Sequence, residues 1–214
     1  SFYVKADYVA EFDENFQVRL VSVDHGIINP TTADNTIDFI ALNDDTTVEI
    51  SALVAVREGD AGDDYTLVYT VTRKGRLDKL TTVDWLIAGG TATTSDFADN
   101  TPTTATTITF ASSDDMVDGY GEETQLITVH IKGDSVIESD ETVMVQISNV
   151  SDGTTIAKND SGNTLNQAIG TILNDDTIFS VSAGTPVLEG VTPGQMFTVT
   201  RTKVTPQDQT INWS

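Results

Sequence analysis

Apolar and polar positions alternate along most of the chain. Ile127, Val129 and Ile131 alternate with polar neighbours, as do Val143, Val145 and Ile147, each with the period of two that marks a half-buried strand. Segments 65–73 and 80–87 are rich in β-branched and aromatic residues, and Thr, Gly, Asn and Asp separate such runs at turn-like intervals. No long stretch carries the helical period. Short strands at roughly regular spacing, each with one apolar face, predict an all-β fold, an antiparallel β-sandwich.

The same patterns recur. Residues 7–20 read DYVAEFDENFQVRL and residues 134–147 read DSVIESDETVMVQI, so Asp7, Glu11, Asp13 and Glu14 fall on Asp134, Glu138, Asp140 and Glu141 at a shift of 127. Phe16, Val18 and Leu20 then fall on Val143, Val145 and Ile147. Downstream, ALNDD at 41–45 matches ILNDD at 172–176 at a shift of 131. A second set joins the middle to the end: Glu58-Gly59 matches Glu189-Gly190, TVTR at 70–73 recurs at 198–201, and TVDW at 82–85 recurs as TINW at 210–213. Ordered matches whose shifts differ only by loop lengths predict tandem repeats. One complete unit spans 46–177, residues 1–45 are the C-terminal part of a preceding unit, and 178–214 are the N-terminal part of a following one. The partial units leave sheet edges that could recruit a neighbouring chain, while the plainer reading is that the fragment limits cut the array arbitrarily.

Composition adds charge. Lys and Arg number 11 against 33 Asp and Glu, a net charge of −22. Such a surface repels nucleic acid and anionic membrane and attracts metal cations. A hydrophobic content of 38% still provides for a packed core rather than an acidic disordered tail. The absence of Cys excludes disulfides, thiolate metal sites and Cys nucleophiles. No apolar run reaches membrane-spanning length, and residues 1–5 lack the shape of a signal peptide.

The order of elements resembles the Calx-beta family, found in sodium/calcium exchangers, an integrin subunit and bacterial surface arrays. Carrying the resemblance are Glu58-Gly59, TVTR (70–73), TVDW (82–85), GTATTSDF (90–97), ITF (108–110), ITVHIKGDSVIESDETVMVQIS (127–148) and GTILNDD (170–176). It implies a seven-stranded immunoglobulin-like sandwich with Ca2+ as its ligand. The family's ligand positions fall on Glu58, Asp96, Asp134, Glu138, Glu141, Asp175 and Asp176, gathered from four segments at one end of the sandwich. Hard, oxygen-rich sites of this kind suit calcium, and seven carboxylates brought together without a cation would repel one another. Gly133 and Asn174 depart from the family pattern, each standing where well-formed sites carry Asp. In the first partial unit the resemblance extends to Asp7, Glu11, Glu14, Asp44 and Asp45, and in the last only to Glu189. Asp45 and Asp176 lie at junctions with almost no linker, so a cation there would fix the angle between successive units.

Catalytic patterns are absent: there is no HExxH, nucleophile elbow or P-loop. His130 alternates with core positions and reads as a solvent-facing strand residue. Gly119-Tyr120-Gly121 reads as a loop before a strand, and Trp85 and Trp213 read as equivalent core positions. The expectation is a non-enzymatic, calcium-stiffened spacer or adhesion module of a large extracellular or cell-surface protein, in a bacterial setting. Its partners would be calcium ions, neighbouring repeats and a cell-surface protein or glycan, with no nucleic acid and no direct membrane insertion. The alternatives are a calcium-sensor module of a membrane transporter and an accessory ligand-binding module of a secreted enzyme.

Overall fold

The computed structural model describes residues 3–31, 35–98, 104–151, 153–184, 186, 188–190, 195–202 and 208–214. Two sheets face each other across an apolar core. The first has the order β10-β3-β5-β8, from β3 (Thr46–Ala52), β5 (Asp64–Gly75), β8 (Gly121–Lys132) and β10 (Thr154–Ile156). The second has the order β4-β11-β9-β6-β7, from β4 (Ala55–Arg57), β6 (Thr81–Gly90), β7 (Thr106–Phe110), β9 (Glu141–Ser148) and β11 (Gln167–Leu173). Inward residues follow the sequence alternation: Ile127, Val129 and Ile131 from β8 meet Val143, Val145 and Ile147 from β9, with Leu67, Val71, Val83 and Trp85 between them. Tyr69 joins the sheets by donating its hydroxyl to the carbonyl of Val143 at 2.8 Å. Burial pushes its phenol up to about 12, so it remains a donor.

The two sheets hold nine strands among the described residues, not the expected seven. The strand that leads into Glu58-Gly59 is divided. Its first half, β3, pairs antiparallel with β5; after Leu53 and Val54 the chain crosses to the other sheet, where β4 pairs parallel with β11. The second addition is the three-residue β10, parallel to β3. The crossing has a consequence for the site, because it delivers Glu58 to the end of the second sheet, its N–H bonded to the carbonyl of Leu173 at 3.0 Å.

Arg73 is fully buried on β5. Its guanidinium donates to the carbonyls of Lys79 (2.7 Å) and Ala111 (2.8 Å), to Thr81 Oγ1 (3.1 Å) and to Glu123, and it lies 5.2 Å from the centre of the Phe110 ring. A buried cation is tolerated because it is paired and hydrogen-bonded on several sides.

A hairpin lies on either side of the sandwich in sequence. The first joins β1 (Glu14–Arg19) to β2 (Thr36–Ala41), and the second joins β12 (Phe179–Ala183) to β13 (Phe197–Arg201). Their registers reproduce those of the central strands. Phe16 faces Phe39 as Val143 faces Gly170, and Val181 faces Val199 as Ile50 faces Val71. The apolar faces of these hairpins are exposed at Val18, Ile37, Val181 and Val199. Trp213 departs from the core position expected of it. Residues 208–214 form no strand and the ring is 94% exposed, because no sheet among the described residues covers it, whereas Trp85 is 6% exposed. Among the described residues no helix is long and apolar enough to cross a membrane.

Candidate metal centre

Four segments meet at one end of the sandwich. Glu58 follows β4, Asp96 closes the 3-10 turn Thr94–Asp96, Asp134 and Glu138 lie between β8 and β9, Glu141 opens β9, and Asp175 and Asp176 follow β11. Six of these side chains form two trios. In one, Glu58, Asp134 and Asp176 each bring a carboxylate oxygen to within 4.8 Å of the other two; in the second, Asp96, Glu138 and Glu141 do the same. Glu58 is only 3% exposed and Asp96 only 6%, so the centre is partly withdrawn from water.

Local structure sets each ligand's direction. The Asp96 carboxylate accepts from the Thr93 N–H (2.5 Å) and the Thr93 hydroxyl (2.9 Å), a capping arrangement that leaves its other oxygen near Ser95 Oγ (3.4 Å). Asp134 accepts the N–H of Val136 at 2.7 Å, an Asx turn that holds the start of the loop. Asp175 belongs to neither trio. Its Oδ1 accepts the N–H of Gly59 at 3.0 Å, and its side chain lines an adjacent cavity of about 430 Å³ with Asp60, Asp63 and Thr177.

Both departures from the family pattern have physical reasons. A Cβ at Gly133 would come within 2.3 Å of the Gly59 carbonyl oxygen and 2.6 Å of that of Asp60, so no Asp can stand there without moving the backbone. Asn174 needs an amide. Its Oδ1 accepts from the Asp176 N–H at 3.2 Å while its Nδ2 donates to the Val136 carbonyl at 3.3 Å, and a carboxylate cannot donate. The Asn174 N–H in turn donates to Asp140 Oδ1 at 3.2 Å. Asp140 is a supporting residue outside the seven ligand positions, and the repeat pairs it with Asp13. The pairing holds in the structure, where Asn43 N–H donates to Asp13 Oδ1 at 2.8 Å.

Burial and neighbouring charge raise three of the carboxyl pKa values. Burial first, then the charges of Asp134, Glu138, Asp176 and Asp96, push Glu58 from 4.5 to about 7. Burial, the Asp96 charge and a hydrogen bond with Asp96 do the same for Glu141, and Glu138 is raised by burial and its three acidic neighbours. The donor set is all oxygen, without a His or Cys, which suits a hard cation such as calcium rather than zinc or copper.

The upstream acidic residues Asp7, Glu11, Glu14, Asp44 and Asp45 line one cavity of about 250 Å³. Burial and the charges of Asp44 and Asp7 raise the Asp45 carboxyl. Among the described residues, however, only the two central trios bring three carboxylates to metal-ligand spacing. Glu189 sits in an exposed turn. His130 is on the solvent side of β8, with its Nδ1 2.8 Å from Asp64.

No family model and no curated protein matches the chain. Among solved structures it is similar to the apo form of the Calx CBD1 domain, at 22% identity over 60% of this chain and 99% of that one, with a TM-score of 0.43. It is also similar to CBD12 from CALX1.2 (20% identity, 62% and 48% of the two chains, TM-score 0.42) and to the calcium binding domain CBD12 of CALX1.1 (22%, 61% and 47%, TM-score 0.42). The sandwich assignment rests on the strand order and register described above.

Proposed function

We propose that this chain is a non-enzymatic, calcium-binding module of Calx-beta type, and that it serves as a spacer or adhesion repeat of an extracellular or cell-surface protein, in a bacterial setting. In this reading residues 46–177 are one complete unit, 1–45 the end of the unit before it and 178–214 the start of the unit after it. The matching strand registers of the flanking hairpins support that division. Calcium is held by Glu58, Asp134 and Asp176 and by Asp96, Glu138 and Glu141, with Asp175 beside them. Asp7, Glu11, Glu14, Asp44 and Asp45 form part of a corresponding site.

The observation that carries this reading is the pair of carboxylate trios, which draws on four chain segments and includes the buried Glu58 and Asp96. Cation binding offsets the burial and repulsion that raise the carboxyls of Glu58, Glu138 and Glu141, and the ion bridges segments distant in sequence. Asp176 directly precedes Thr177, so an ion at the first trio also constrains the exit toward the next unit. Neighbouring repeats are then partners in the chain itself, and a cell-surface protein or glycan is the outside partner.

Isothermal titration of the whole chain with calcium tests the proposal. Saturable binding is expected, with heats that depend on the buffer's ionisation enthalpy near pH 6.5, because protonated Glu58 and Glu141 must release protons. Glu58→Gln combined with Asp134→Asn weakens binding by about tenfold or more. Absence of heat at millimolar calcium, or an unchanged affinity in the double variant, would refute it.

A further inference from the structure

The segment Val117–Tyr120 turns tightly before β8. Val117 and Tyr120 exchange both backbone hydrogen bonds (2.9 and 3.0 Å), while Asp118 and Gly119 between them have φ of 48° and 75°. Two successive left-handed residues are the mark of a type I′ turn, which directs the carbonyls of the turn outward. Here both carbonyls are engaged by residues far away in sequence. The Asp118 carbonyl accepts the Asp13 N–H at 2.6 Å, and the Gly119 carbonyl accepts Asn43 Nδ2 at 3.1 Å.

Asp13 and Asn43 are themselves joined, since the Asn43 N–H donates to Asp13 Oδ1. The Phe12 ring lies 4.8 Å from that of Tyr120, and the Arg76 N–H donates to the Asp45 carbonyl at 3.1 Å. Close approach is built into the glycines. A Cβ on Gly119 would lie 2.1 Å from Asp13 Oδ1, and one on Gly75 would lie 2.2 Å from the Asp45 carbonyl oxygen. At the far end of the sandwich the counterpart amide, Asn174 Nδ2, is turned onto the Val136 carbonyl in the loop between β8 and β9.

We infer that the turn 117–120 is a docking element that clasps the chain segment preceding the sandwich, through Asp13 and Asn43, without a cation. Its partner is an Asn-Asp-Asp terminus braced by an Asp, as at Asn43 and Asp13. The contacts between the two segments are hydrogen bonds to backbone carbonyls and one aromatic packing contact, and the Asp13 carboxylate is met by the Asn43 N–H within the terminus. The clasp does not depend on the calcium reading: it fixes the entry to the sandwich whether or not the trios hold an ion.

The Cys-free chain allows a direct test. Spin labels are placed at Asn15→Cys on β1 and Thr124→Cys on β8, and their separation is measured by double electron–electron resonance. The expected distribution is as narrow in chelator as in calcium, and Glu58→Gln leaves it narrow. Asn43→Ala broadens it, raising the population of open arrangements about fivefold for the loss of one hydrogen bond, and Gly119→Ala broadens it through the clash of its Cβ with Asp13. Asn43 lies outside the sandwich, so its variant reports on the clasp even if Gly119→Ala disturbs the turn itself. A distribution that is broad in chelator and narrows only with calcium overturns the inference, as does an unchanged width in both clasp variants.

Discussion

At the scale of single residues, the centre behaves as a store of repulsion that protons or a cation can relieve. Glu58 and Glu141 have carboxyl groups at about 7 in the folded chain against an ordinary 4.5. Between those values the folded state holds more protons than the unfolded one, so stability falls as pH rises through the window. Asp78 and Asp84, held below 3.8 by hydrogen bonds with Arg76 and with Thr107 and Asn149, act at lower pH. In chelator the chain is therefore expected to melt at a higher temperature near pH 5.5 than near pH 7.5, with the difference reduced in Glu58→Gln and reversed by calcium. Scanning calorimetry at the two pH values decides it, and a metal-free stability that rises over the window contradicts the account. Glu58, Asp96 and the acidic run 134–141 were legible because each belongs to a motif. The orientation of Asp175 was not, since it depends on where the sheet crossing aims the Gly59 N–H. Asn174 was legible as a departure from pattern, but its reason, a need to donate and accept at once, required the neighbouring carbonyl and N–H to be in place.

Among the elements, period-two alternation located β8 and β9 and their buried faces, while β-branched and aromatic enrichment located β5 and β6. Alternation could not reveal the crossing from β3 to β4, where residues before and after Leu53 are apolar in either sheet and only the pairing partner changes. Nor could it find β10, three residues long and without alternation. Repetition carried more than pattern did: the shifts of 127 and 131 place Phe16 opposite Phe39 in the register that Val143 and Gly170 adopt. The two sheets are tied by apolar packing, by the hydroxyl of Tyr69 and by the Arg73 guanidinium of β5 on Thr81 of β6. Tyr69→Phe leaves the ring and deprives the buried Val143 carbonyl of this donor, at a cost of about 1–2 kcal/mol. Urea unfolding measures it. Because the substitution adds no charge near the trios, calcium affinity should be unchanged. A neutral substitution would mean that the Val143 carbonyl is satisfied by its strand neighbours alone.

For the whole molecule, the net charge of −22 makes general screening a rival to specific binding, because any added salt weakens repulsion across so acidic a surface. The two effects differ in depth. Exposed charges separated by more than the Debye length, about 10 Å at 0.1 M, are screened by sodium chloride, whereas partly buried groups are screened much less. Glu58 belongs to the second class. Sodium chloride in chelator is thus expected to raise the melting temperature of the native chain and of Glu58→Gln in parallel. Calcium at constant ionic strength should raise the native chain alone, by an increment that grows with the logarithm of its concentration above the dissociation constant. Magnesium should substitute poorly, since it demands a tighter octahedral geometry and sheds water reluctantly, while these carboxylates come from four separate segments. Calorimetric melts of both chains in the three salts separate the possibilities. If Glu58→Gln gains as much from calcium as the native chain does, the acidic surface acts through screening and the trios hold no specific ion.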